Sequence, residues 1–193
     1  MNNNLILSIF VANMEKFNDI QIIKRRFFAM RNGVIADTLR KSGVPYRMIF
    51  GLNLPQIVEI ASEIGPNREI AEKLHADTPT RESQMLAPMI MPVADMTPEL
   101  ALQWVDEAPS VEATDILCHR LLRKMPEAIG IAETLLKRGG DARRYAAVRL
   151  MWNLIPAHSD AIYPIARAEA SRGDDSTSQL AAKLVEEIEF LKN

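Results

Sequence analysis

Apolar residues recur every three or four positions along most of the chain, and the interruptions between these stretches are of the kind that ends helices. "DIQIIKRRFFAMR" runs to Asn32-Gly33, "VIADTLRKSG" ends on Gly43, and "LPQIVEIASEIG" puts Pro55 in a first turn and Gly65 just past the last one. Thr97-Pro98-Glu99, Asp141-Ala142, Ser159-Asp160 and Ser176 supply N-cap chemistry ahead of further amphipathic stretches. Alternation at period two, the mark of a half-buried strand, is nearly absent. The pattern predicts an all-α chain.

The second half also repeats. "TPELALQW" from Thr97, "MPEAIGIAE" from Met125 and "SDAIYPIARAE" from Ser159 are similar first helices. Each precedes a second: "ATDILCHRLLRK", "ARRYAAVRLMWNL" and "TSQLAAKLVEEIEFL", with "RESQMLAPMIM" in the same slot one period earlier. Two helices recurring at roughly 28 to 35 residues predict an α-solenoid, in which each pair buries its apolar face against its neighbours. The tetratricopeptide signature and the ankyrin "TPLH" motif are missing, which favours a HEAT-like α-α superhelix of about five helix pairs. The expected organisation is a single HEAT-like domain over residues 14–193, preceded by an extension at residues 1–13; a compact helical bundle is the structural alternative.

Composition adds bounds. The chain has 193 residues, 48% of them hydrophobic and 25% charged, a helix-rich globular profile that needs no disulfide or metal staple. One cysteine, Cys118, excludes an internal disulfide and fits a reducing, cytoplasmic compartment. The apolar run "LILSIFVA", Leu5 to Ala12, is too short to span a bilayer and lacks the basic flank of a signal peptide, so no membrane partner is expected.

The net charge is only −2, but the charge is segregated. From Ile20 to Arg47 seven basic residues face one acid, and from His119 to Arg149 eight face three, while Pro92 to Asp115 holds six acids and no base. In a solenoid, Arg120, Arg123, Lys124, Arg143, Arg144 and Arg149 fall on second helices or their ends. That placement predicts a basic concave face suited to the phosphates of duplex DNA, because bound Lys and Arg release condensed counterions. Solvated helix faces are the competing explanation.

Candidate chemistry is sparse. Gly139-Gly140 reads as a helix stop rather than a phosphate loop. His75, His119 and His158 lack ligand spacing, and adjacent Cys118 and His119 point about 100° apart on a helix, so no metal, cofactor or thiol nucleophile is expected. Attention falls on "SVEATDILC", residues 110–118, where Val111 and Asp115 share a helix face with Glu112 alongside. From spacing alone, Val111 packs into the core and Asp115 sits at its edge.

Three stretches carry a resemblance to a known family. "MRNGVIADTLRKSGVPYRMIFGLNLPQIVEIA" (30–61), "LHADTPTRESQMLAPMI" (74–90) and "SVEATDILC" resemble the HEAT-like alkylpurine DNA glycosylases of the DNA alkylation repair group. The resemblance implies hydrolysis of the N-glycosidic bond of alkylated purines. Such a base is cationic and leaves readily, so a carboxylate near C1′, flanked by aromatic rings, stabilises the sugar cation without deep base flipping. The family's catalytic Asp falls on Asp115, its Trp one turn earlier on Val111, and its Arg of the next repeat on Tyr145, just after Arg143 and Arg144. A further Trp of the last repeat has no counterpart in "TSQLAAKLVEEIEFLKN". The expectation is a DNA-binding repeat protein whose Asp115 lacks its aromatic and cationic supports. The alternative is a catalytically silent scaffold that binds a protein or non-duplex nucleic acid.

Overall fold

The computed structural model describes residues 19–173 and 176–192. Leu5 to Ala12 and the expected extension at residues 1–13 lie outside them. Among the described residues the regular structure is helical, apart from an isolated parallel bridge between Met48 and Thr80. No described helix is long and apolar enough to cross a membrane. Backbone contacts divide the chain between Met91 and Pro92.

The first unit contains α1 (residues 19–29), α2 (Gly33–Lys41), α3 (Leu54–Ile64), α4 (Arg68–Ala76) and α5 (Arg81–Ile90). Three asparagines start helices here. Asn32 accepts from the amides of Val34 and Ile35, Asn53 forms a reciprocal capping box with Gln56, and Asn67 accepts from Ile70. Asn32-Gly33, which reads in the sequence as the stop of one helix, is thus also the start of the next.

α5 is buried almost end to end, including its two charged residues, Arg81 and Glu82. The Glu82 carboxylate accepts from the backbone amides of Phe50 (3.1 Å), Gly51 (2.9 Å) and Leu52 (3.3 Å), and Arg81 Nη1 donates to it at 3.1 Å. Arg81 also donates to the Leu52 carbonyl at 3.0 Å. A buried ion pair persists only when its remaining hydrogen-bonding capacity is met, and here the loop ahead of α3 meets it. That loop needs glycine at position 51: φ is +79°, and a Cβ there would lie 2.2 Å from the Asn32 carbonyl oxygen. The Arg-Glu of "TRESQ" therefore belongs to the fold rather than to a reactive site.

The second unit contains a 3-10 turn (Val93–Asp95), α6 (Pro98–Glu107), α7 (Val111–Arg120), a second 3-10 turn (Leu122–Lys124), α8 (Ala128–Arg138), α9 (Asp141–Ala170) and α10 (Ser176–Lys192). Its centre is α9, against which α7, α8 and α10 all pack. The reason is compositional: Ala146, Ala147, Val148, Leu150, Met151 and Leu154 are all buried, and the small residues among them let neighbouring helices come close. α9 breaks at His158 (φ −140°, ψ 23°), two residues after Pro156, which has no amide hydrogen to continue the ladder. The new helix expected at Ser159 is thus the second arm of α9. Gly139 and Gly140, with φ of 72° and 84°, turn the chain from α8 into α9 as a helix stop should.

Candidate nucleic-acid interface

Ser110 caps α7, its Oγ accepting from the Ala113 amide at 3.1 Å, and the helix buries Ala113, Thr114, Ile116, Leu117 and Cys118. Asp115 is left at the edge of that apolar face. Val111 does not pack into the core as its spacing suggested; it is 61% exposed in the first turn, off the buried stripe. Glu112 lies beside it, half-buried.

Asp115 is held from α9. Its Oδ1 accepts from the Tyr145 hydroxyl at 2.9 Å and from Arg149 Nε at 2.8 Å. Tyr145 and Arg149 are four residues apart, so they present one face of α9 to α7. The cationic partner that the resemblance placed at Tyr145 is therefore supplied one helical turn later, by Arg149. Arg143 and Arg144 do not reach Asp115. Arg143 donates twice to Asp106, at 2.6 and 3.2 Å, and Arg144 donates to the buried Glu169 at 2.7 Å. Burial, then the hydrogen bond to Asp115, pushes the Tyr145 phenol up to about 12. Burial, then the Asp115 charge, pushes the Cys118 thiol up to about 12 as well, which makes it an unreactive core residue.

The six basic residues expected on one wall thus separate into two groups. Arg143, Arg144 and Arg149 are ion-paired. Arg120, Arg123 and Lys124, at the end of α7 and in the 3-10 turn that follows, pair with no acid among the described residues, and Arg120 Nε is buried without a hydrogen-bond acceptor. Their uncompensated charge is felt locally. Burial lowers the Lys124 ammonium below its ordinary value, and Arg123 and Arg120 lower it further. His119 is lowered by burial first, then by Arg123, Arg120, Lys124 and Arg149. His119 was set aside in the sequence for want of a ligand partner, although its place next to Arg120 was the available signal.

A cleft of about 520 Å³ is lined by Lys137 of α8 and by Arg144, Glu169 and Arg172. Glu169, 3% exposed, accepts from Arg144 and from Arg172 (2.9 Å), so the two guanidinium groups of this cleft are spent on one carboxylate. Among the described residues no group of three or more His, Cys, Asp or Glu side chains is placed to hold a metal ion.

Paired helices, with an acid tied between neighbouring helices, define an all-α repeat protein. The chain belongs to the DNA alkylation repair enzyme family, whose model matches residues 23–191. A solved structure described as "a new family of proteins related to the HEAT-like repeat DNA glycosylases with affinity for branched DNA structures" superposes with a TM-score of 0.72. It is 18% identical, and the match covers 86% of this chain and 74% of that one. At that identity the likeness establishes the HEAT-like fold. No curated protein matches the chain.

Proposed function

We propose that this member of the family binds DNA through phosphates and does not excise alkylated bases. The observation that carries the reading is the partition of positive charge: Arg143, Arg144 and Arg149 are consumed by acids, whereas Arg120, Arg123 and Lys124 pair with none among the described residues. Like charges held together without a counterion cost free energy in the free protein, and phosphate oxygens relieve that cost while counterions leave the DNA. For excision, the carboxylate must stabilise a cationic sugar beside aromatic rings. Arg149 gives Asp115 a cationic partner, but position 111 offers an exposed isopropyl group where the family offers a ring. The family relation supports DNA as the partner, and the affinity ascribed to the similar solved structure supports branched DNA as a second form to examine.

The test is a comparison of two charge reversals on duplex and four-way-junction DNA. Arg123→Glu with Lys124→Glu should weaken binding and, on duplex DNA, lower the slope of log Kd against log salt by about 0.9 for each phosphate that is no longer neutralised. Arg143→Glu, already paired with Asp106, should change the slope far less. Neither the wild type nor Val111→Trp should release a methylated purine from duplex DNA. Release by the wild type that disappears in Asp115→Asn, or full DNA affinity in the Arg123/Lys124 variant, overturns the reading.

A further inference from the structure

We propose that His119 completes this phosphate site and takes up a proton when DNA binds, so that affinity for DNA is coupled to pH. The inference rests on the DNA-binding reading and adds to it a residue and a linkage.

The geometry comes first. His119 is half-buried in the last turn of α7, directly before Arg120 and one short turn from Arg123 and Lys124. The charges acting on its ring are Arg120 on its own helix, Arg123 and Lys124 on the 3-10 turn, and Arg149 on α9, all of them positive. α8 also packs on the 3-10 turn and contributes no charge to this set. Asp115, the acid one turn earlier on α7, has its Oδ1 occupied by Tyr145 and Arg149. The site thus holds several cationic donors, one of them a buried Nε–H with no acceptor, and no anion. An imidazole at this place is the one member whose charge can change near neutral pH.

In the free protein the ring sits below its ordinary value, because burial and then the neighbouring cations disfavour a further positive charge. An entering phosphodiester reverses the second of these effects. Its oxygens accept from Arg120, Arg123 and Lys124, which neutralises the charges that kept the proton off. A remaining lone pair accepts from the ring N–H, which favours imidazolium directly.

The sign follows. The ring titrates below its ordinary value in the free protein and higher in the complex, so protons are taken up on binding between those two values. Affinity therefore rises as pH falls through that window and is flat on either side. Each pH unit between the free and bound titrations is worth about tenfold in Kd.

The experiment is fluorescence anisotropy with a short labelled duplex that carries no terminal phosphate, so that no DNA group titrates from about pH 5.5 to about pH 8. Wild-type protein should bind roughly tenfold tighter at the acid end. His119→Gln should lose the pH dependence and keep the weaker, high-pH affinity, whereas His119→Lys should bind tightly at every pH. The His119 ring-proton NMR titration of the wild type, free and DNA-bound, reads the same quantity without a substitution, and the bound curve should lie at higher pH. Coincident curves, or an unchanged pH slope in His119→Gln, overturn the inference. If Arg123→Gln and Lys124→Gln leave affinity intact, the DNA-binding reading falls and this falls with it. If they weaken binding while His119→Gln keeps the slope, only this inference falls.

Discussion

Replacing Asp115 by Asn separates a carboxylate that anchors two helices from one that waits for a substrate. Its Oδ1 receives the Tyr145 hydroxyl at 2.9 Å and Arg149 Nε at 2.8 Å, so the substitution removes the charge from both interactions and leaves a single amide oxygen to serve two donors. Hydrogen bonds to a charged group are worth about 1.5–3 kcal/mol each when well shielded. Here shielding is partial, since the Asp115 and Arg149 side chains are each 32% exposed, which brings the ion-pair part down to about 1 kcal/mol or less. The Tyr145 bond, also part-buried, contributes about another 1 kcal/mol. The expected loss is about 1–2 kcal/mol, a fall in Tm of roughly 3–6 °C for a chain of this size. Differential scanning calorimetry measures it. A second measure comes from phenol absorbance: the Tyr145 hydroxyl, at about 12 in the wild type, should ionise at lower pH in the variant, while burial keeps it above the ordinary tyrosine value. A surface carboxylate without partners would change stability by less than about 0.5 kcal/mol. A melting temperature within about 1 °C of wild type, with Tyr145 titrating as before, would refute the anchoring role.

Two further outcomes concern the framework. Gly51→Ala places a methyl group 2.2 Å from the Asn32 carbonyl oxygen at a φ of +79°, so it should cost about 3 kcal/mol or more and be visible as a large drop in the urea midpoint. Stability should also fall on the alkaline side: Cys118 and Tyr145 are raised from 9.0 and 10.0 to about 12, so their contribution is complete below about pH 9 and lost as pH rises toward 12. Urea midpoints measured across that range should decline in the wild type and decline less in Cys118→Ala.

How much of this the sequence disclosed depends on whether the signal was local. Pro55 and Gly65 bound α3 because helix starts and stops are set by a few adjacent residues, and the structure puts the ends there. Ser159 was legible for the same reason, as the break at His158 shows. Glu82 was not. An Arg-Glu pair at the start of a helix reads as solvated, and its burial depends on three amides of a loop about thirty residues away, which no periodicity encodes. Arg149 was missed by one turn, because alignment of a short helix against its equivalent fixes a face less well than it fixes a position. The pairing of Arg143 with Asp106, 37 residues apart, had a signal that was visible but unused: an acidic stretch without a base, next in sequence to a basic stretch, must either stay solvated or find its partners there.

That pairing bears on function in the same way as a second ion pair. Arg149 and Asp115 were each candidates for a different task, one as a phosphate contact and one as a catalytic carboxylate, and each is occupied by the other. Their bond thus draws a donor away from the DNA backbone. Asp106 does the same to Arg143, and Glu169 to Arg144 and Arg172. Of the basic residues spread over 119–149, those left without an acid among the described residues are Arg120, Arg123, Lys124 and Lys137, and the first three stand in the short turn from His119 to Lys124. Charge concentrated in so few residues suits a small number of phosphates bound closely better than a long backbone tracked at intervals. For that reason reversing Arg123 and Lys124 is expected to cost this protein more DNA affinity than reversing Arg143, Arg144 or Arg149 on α9.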